Sequence, residues 1–303
     1  MIRASIGVFA YNEERTIGQT LKALLEQKCT QVEIVEVLVV SSASTDRTDA
    51  IVTEMSAQYP RLRLIREAER RGKACAINRY LADRNRQAEV CIMSSADLLP
   101  NLDVVELLVA PFADPSIGMT GGRPVPVNIP DHFMGYVAHL QWKLHHLISL
   151  KHPKCGELVA FRADLSDKIP PESPVDEASL EAIAAAKGLQ LRYVPDAITR
   201  NRGPENIREF IARRRHLANG HKWLQRTTGY RVATGSPLTT LRILAGEIRF
   251  HPKEWIWILG AIGLEGYARL LGTLDLFFRP RAHQVWKVTP STKGEFETPA
   301  GDR

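Results

Sequence analysis

Four short polar stretches hold most of the side chains in the first half of the chain that can do chemistry. They are Tyr11-Asn12-Glu13-Glu14, Ser41-Ser42-Ala43-Ser44-Thr45-Asp46, Arg70-Arg71-Gly72-Lys73 and Ser94-Ser95-Ala96-Asp97. Carboxylates such as these take up protons or hold a hard cation. Arg71 and Lys73 flank a glycine, where backbone can approach closely, and so suit an anionic ligand such as a diphosphate. Further on, Gly156-Glu157 precedes an apolar run ending at Arg162, Asp176-Glu177 opens an alanine-rich segment, and Arg213-Arg214-Arg215 precedes His221. Each feature alone has a plainer explanation. Two acids stabilise a helix N-terminus, Asp46 and Asp97 serve as helix-entry residues, and Arg70 and Arg71 read as solvated charges.

Their placement outweighs those explanations. Each of the first four stretches follows an apolar run and leads into a helical pattern. Strands are expected at Ser5 to Ala10, Val35 to Val40, Leu62 to Ile65 and Val90 to Met93. Val35 to Val40 is unbroken and apolar, as in a strand buried on both faces of a parallel sheet. Between them Ile17, Leu21, Leu24 and Leu25 recur at helical spacing, with Thr16 as a possible cap, and helices follow near Asp49 to Tyr59, Ala74 to Arg84 and Val104 to Pro111. Four strand-helix alternations in about 110 residues imply an α/β fold with a mostly parallel sheet and right-handed crossovers. Ligands of such sheets bind at the carboxyl ends of the strands, where all four polar stretches lie. The second half is less regular. It holds expected strands at Gly118 to Arg123, Gly156 to Arg162 and Leu191 to Val194, a helix at Glu177 to Lys187, basic helical sequence from Ile207 to Leu224 and an apolar stretch from Trp255 to Phe278.

A length of 303 residues suffices for one large α/β domain. Net charge of +6 suits a phosphate-bearing partner, whether nucleotide, anionic lipid or nucleic acid. No helix-turn-helix or aromatic RNA platform is visible, so nucleic acid is not expected. Four cysteines without CxxC pairing speak against a zinc site or a disulfide framework and for a reducing compartment. The first residues run straight into a strand, which leads us to expect a cytoplasmic protein.

In this order the loops resemble the family-2 glycosyltransferases of the GT-A fold. The resemblance spans roughly residues 4 to 225 and is strongest in AYNEERTIGQTLKALLEQ, ASTDRT, RGKACAIN and ADLLP. It implies an inverting transfer of a sugar from a nucleotide-sugar donor. Tyr11, Asn12 and Glu13 would lie against the nucleoside. Ser41 and Ser42 stand where many relatives carry a base-reading aspartate, and Arg71 and Lys73 would meet base or diphosphate. The family's Asp-x-Asp becomes Ser95-Ala96-Asp97, so Asp97 is the expected ligand of Mn²⁺ or Mg²⁺, with His221 as a further candidate ligand. The general base falls on Glu177 by position or Asp176 by residue type, and Glu157 and Arg162 would line the acceptor side. Arg213-Arg214-Arg215-His216-Leu217 matches the Gln-x-x-Arg-Trp of membrane synthases poorly, so a processive polymerase is not implied.

The resemblance also points to a lipid-linked or cell-envelope acceptor. The stretch from Trp255 to Phe278 is interrupted by Glu265, Arg269 and Asp275, and Leu238 to Ile248 by Arg242 and Glu247. Both read as amphipathic helices on a membrane surface or on the domain rather than as spans, with Trp255 and Trp257 as headgroup-level anchors. The expected organisation is a catalytic domain over 1-230, an amphipathic, apolar helical extension over 231-285 on the membrane or on the domain, and a flexible tail over 286-303, the whole peripheral at the inner face of the cell membrane. The competing readings are a degenerate relative that binds a nucleotide sugar or a partner subunit without turnover, and a nucleotidyltransferase. The latter would carry its glycine-rich loop directly after the first strand, where Tyr11-Asn12-Glu13-Glu14 stands.

Overall fold

A computed structural model describes residues 1-235, 252-278 and 288-296, together with Thr240, Arg242, Ile243 and Gly246. Most of the expected amphipathic stretch from Leu238 to Ile248 lies outside the described residues.

The first half builds as its pattern dictates. Strands β1 (Ile2-Ala10), β2 (Val32-Ser42), β3 (Leu62-Glu67) and β4 (Val90-Ser95) alternate with helices α1 (Ile17-Leu25), α2 (Thr48-Ser56) and α3 (Lys73-Asp83). They pair in parallel in the order β3-β2-β1-β4. Alternate residues of β2 serve two cores: Val37 and Val39 pack with α1 and α4 residues, Leu38 and Val40 with Ile77 and Tyr80 of α3. Gly7 of β1 is fixed by this second layer, because a Cβ there would come within 2.8 Å of the Tyr80 ring. The Tyr80 hydroxyl in turn donates to the Ser5 carbonyl at 2.9 Å.

Beyond β4 the sheet is mixed. A two-residue β5 (Leu99-Pro100) leads to α4 (Val104-Val109), and β6 (Ile117-Pro126) is followed by a 19-residue helix α5 (Phe133-Lys151). Strand β7 (Val159-Arg162) inserts antiparallel between β4 and β6, and after α6 (Asp176-Ala186), β8 (Gln190-Asn201) pairs parallel with β6. The eight strands run β3-β2-β1-β4-β7-β6-β8-β5. Two long helices follow, α7 (Ile207-Thr228) and α8 (Pro252-Phe278). Asn206 caps α7 by accepting from the Glu209 amide, and Gly229 ends it in the left-handed conformation. Thr16, the expected cap of α1, makes no side-chain capping bond; its hydroxyl donates to the Glu13 carboxylate at 3.1 Å instead. Among the described residues no helix is long and apolar enough to cross a membrane.

Candidate active site

The carboxyl ends of β1, β2 and β4 converge with the start of α3 on one cavity of about 640 Å³, whose other walls come from α5, α6, α7 and α8. Its first rim is a stitched pair of loops. Asn12, with φ of 53°, accepts from the Thr45 amide at 2.8 Å, and its own amide donates to Ser44 Oγ. The Glu13 amide donates to Thr48 Oγ1 at 2.7 Å, and the Glu14 amide to Asp46 Oδ2. Asp46 therefore orders its loop. Burial would raise its carboxyl, but hydrogen bonds from Thr48 and Glu14 outweigh that and hold it low.

Asn12, Ser41 and Arg71 serve this frame rather than face the cavity. The Ser41 hydroxyl donates to Ser44 Oγ, and Arg71 lies outward beside Glu67 at 3.5 Å. Tyr11, Glu13, Ser42, Lys73, Ser95 and Asp97 do line the cavity. Ser42 donates to Glu67 at 2.7 Å, and Arg70 stacks over the Tyr11 ring at 3.9 Å. Asp97 sits on the turn after β4, fastened where Thr20 Oγ1 donates to the Ala96 carbonyl at 2.9 Å.

Opposite these loops stands the acid pair. Asp176 and Glu177 form the first turn of α6, while Lys73 opens α3 after Gly72 at φ of 101°. The two helix starts face each other: Lys73 Nζ lies 2.7 Å from Asp176 Oδ2 and 2.9 Å from Glu177 Oε1. Burial would push Glu177 up, but the Lys73 charge and hydrogen bond hold it below the usual carboxylate range. Asp176 goes the other way, raised by burial and then by the Glu177 charge. One carboxylate of the pair is thus kept ionised.

Glu157 belongs to the cavity and is strained into it, with φ of 62° at a non-glycine residue. Arg213 of α7 holds it at 2.9 Å. Burial raises its carboxyl against the pull of Arg213, and the nearby Asp97 and Glu177 charges add to the rise.

Arg162 does not join the site. Since β7 runs antiparallel to β4, its last residue pairs with Val90 at the amino edge of the parallel strands. There the guanidinium donates to the carbonyls of Ile117, Phe112 and Asp114.

His221 lines the cavity on the α7 side. Burial, then the charges of Lys154, Arg214 and Arg269, pushes its imidazole down to about 3, so it is neutral. It gathers with that basic group and not into a ligand set: among the described residues no three His, Cys, Asp or Glu side chains are placed to hold a metal. Asp97 alone fits the way Mg²⁺ and Mn²⁺ bind beside a phosphate substrate, where one or two carboxylates suffice and phosphates and waters complete the shell.

The wall nearest Glu13 was not expected. Residues 288-296, expected within a flexible tail, are docked on the first two loops. Lys293 Nζ donates to the Tyr11 and Asn12 carbonyls at 2.5 and 2.8 Å and lies 2.6 Å from Glu13 Oε1. Gln19 and Phe296 exchange two hydrogen bonds, Arg202 donates to the Glu295 carbonyl, and Ser291 bonds both Glu205 and Glu209. Burial and the Asp97 charge raise the Glu13 carboxyl to about 7, against the opposing pull of Lys293. No periodic pattern marks this segment, so only the three-dimensional structure reveals it.

Fold and site together define an α/β transferase-like protein with a ligand crevice at its parallel strand ends. The profile of glycosyl transferase family 2 matches residues 5-162, more than half of the chain, and the chain belongs to that family. It is 23% identical over 275 residues to a protein named probable glycosyltransferase YdaM of Bacillus subtilis, covering 85% of this chain and 60% of that one. It is 34% identical over 126 residues to the beta-monoglucosyldiacylglycerol synthase of Synechocystis, covering 40% of this chain and 25% of that protein. The chain thus spans less than two thirds of either relative. Among solved structures, the mannosyltransferase PcManGT from Pyrobaculum calidifontis, in complex with GDP-Man and Mn²⁺, superposes with a TM-score of 0.65 at 23% identity, over 91% of this chain and 87% of that one. Glucosyl-3-phosphoglycerate synthase from Mycobacterium tuberculosis, in complex with Mn²⁺, UDP and glucosyl-3-phosphoglycerate, gives 0.52 at 18% identity over 75% and 80%. These likenesses establish the GT-A fold.

Proposed function

We propose that the protein is an inverting glycosyltransferase that moves a sugar from a nucleotide-sugar donor to a lipid-linked or cell-envelope acceptor at the inner face of a membrane. The observation that carries this reading is the shared cavity: Asp97 on one wall and the Lys73-bridged Asp176-Glu177 pair on another. The nucleoside would lie along Tyr11, Glu13 and Ser42, with its diphosphate toward Asp97 and Lys73. A divalent cation held by Asp97 and the diphosphate would supply charge neutralisation for the leaving group.

The protein's own part is positioning and proton transfer. Glu177, ionised beside Lys73, takes the proton of the acceptor hydroxyl as that oxygen bonds to the anomeric carbon. The bond from that carbon to the diphosphate breaks on the opposite face, and the nucleoside diphosphate leaves with its electron pair. Asp176, which shares Lys73, orients the base. Glu157, fixed by Arg213, is placed to bind the acceptor.

Ser95 in place of a first aspartate favours a second reading, a binding protein without turnover. Thermal unfolding against nucleoside diphosphates and nucleotide sugars, with and without Mn²⁺, tests both. A ligand at a hundred times its dissociation constant adds about 2.7 kcal/mol. A metal-dependent rise with one base, lost in Asp97→Ala, supports the donor site. An Asp97→Ala protein that keeps the full metal-dependent rise removes Asp97 from that role, and binding without product release favours the second reading.

A further inference from the structure

Helix α8 has two faces, and the described residues of the fold pack against one of them. Two of its anions point to α7: Glu265 receives Arg214 at 2.6 and 2.7 Å, and Asp275 receives Arg215 at 2.5 Å. Ala261, Glu265, Gly266 and Arg269 make it a wall of the active-site cavity. The other face carries Ile256, Leu259, Tyr267, Leu270, Leu274 and Phe277 at helical spacing, all exposed, Ile256 at 70% and Leu259 and Phe277 each at 63%. Gly263 completes the row and no charged residue of the helix falls within it. From Ile256 to Phe277 this strip runs about 32 Å along the 27-residue helix.

The geometry points to an anionic lipid bilayer as the occupant of this face, with α8 lying flat in the headgroup region. Two observations favour lipid over a protein partner. The first is charge: exposed Arg226 of α7 stacks over the Phe277 ring at 4.8 Å, and exposed Lys222 bonds Thr273 at 2.7 Å, so cations flank the apolar row where lipid phosphates would sit. The second is continuity, since the same helix that offers the apolar row walls the cavity through Ile262 and Gly266. An acceptor tethered in the bilayer by its acyl chains would reach the Glu177 carboxylate without leaving the membrane. This consequence rests on the proposed glycosyl transfer; the lipid surface itself does not.

The test is flotation of the full chain with vesicles of phosphatidylcholine, alone or mixed with phosphatidylglycerol, using the triple variant Ile256→Glu, Leu259→Glu and Leu270→Glu. None of these three residues lines the cavity. Flotation with the mixed vesicles, weakened by salt and reduced more than about tenfold in the variant, is the expected result. A wild-type protein that stays in solution with both vesicles overturns the proposal, as does a variant that floats like the wild type. A wild-type dimer that the substitutions dissociate assigns the face to a second copy and overturns it equally. Nucleotide-sugar binding in the same variant, read by thermal unfolding without vesicles, should be unchanged. If neither protein binds a nucleotide sugar, the donor reading fails while the flotation result stands.

Discussion

Lys73→Met keeps most of the side-chain stem and removes the charge that sits between Asp176 and Glu177. Lys73 is 24% exposed at its side chain and Asp176 only 3%, so the ion pair is mostly out of water. Removing one partner of such a pair costs about 3-5 kcal/mol when the remaining charge stays ionised. Here two carboxylates remain side by side, and at neutral pH we expect the lower end, about 3 kcal/mol. The sign with pH follows from the cause. In the wild type, Glu177 is held below its unfolded value, so its contribution is present above about pH 4.3 and is lost as the pH falls through the depressed value. Asp176, raised to about 6, works in the opposite sense and favours the folded state as the pH falls below that value. Without Lys73, burial raises both carboxyls, and the folded variant takes up a proton that its unfolded chain does not. The destabilisation should therefore shrink toward about 1 kcal/mol near pH 5, leaving the lost hydrogen bonds. Urea unfolding of both proteins at neutral and acid pH measures it. An equal loss of stability at the two pH values would refute the electrostatic account and leave Lys73 a packing residue.

Glu177→Gln should lower kcat by about 10²-10⁴-fold while donor affinity stays unchanged, and Asp176→Asn should cost less; turnover and nucleotide titration separate them. Lys293→Ala removes an ammonium from Glu13 and from the Tyr11 and Asn12 carbonyls, and should raise the donor KM by about tenfold with a smaller change in kcat. Arg213→Ala strands a largely buried Glu157 and should cost about 3 kcal/mol in thermal unfolding, most of it recovered when Glu157→Gln is added.

Much of the fold was legible because hydrophobic period and strand-end polarity agree over residues 1-110. β2 reads as a doubly buried strand, and its two faces do serve two cores. The acid pair at 176-177 was legible by distance along the chain, but its partner was not. Lys73 lies 104 residues away from Glu177, and nothing local says that two helix starts will face each other. Arg162 fails for a related reason. The sequence announces a strand but not its direction, and one antiparallel insertion carries the strand's last residue to the far edge. Asn12 and Ser41 are expected at the nucleotide because the family resemblance places the base in these two loops; here Asn12 joins one loop to the other and the Ser41 hydroxyl braces Ser44 within the second.

On the proposed donor reading, the charges of the cavity bear on how Asp97 would serve a cation as a single carboxylate. Lys73 is bound by Asp176 and Glu177, Arg213 by Glu157, Lys293 by Glu13, and Lys154 by Glu181. Each of these four cations already has its anion. With Arg70, Arg214 and Arg269 set against Glu265 and Asp97, the charged groups of this space come close to balance, and a nucleoside diphosphate entering it adds negative charge in excess. Desolvation makes such an excess costly. The donor is therefore expected to enter together with its own cation, bound chiefly by the diphosphate and anchored by Asp97. On this argument metal affinity without nucleotide should be weak and should rise when nucleotide is present. By linkage, nucleotide affinity should rise with metal by the same factor. Calorimetric titration of Mn²⁺ alone, of nucleoside diphosphate alone and of the two together closes that cycle. Tight binding of Mn²⁺ to the free protein would break the argument at its first step, by revealing a ligand set that Asp97 does not account for.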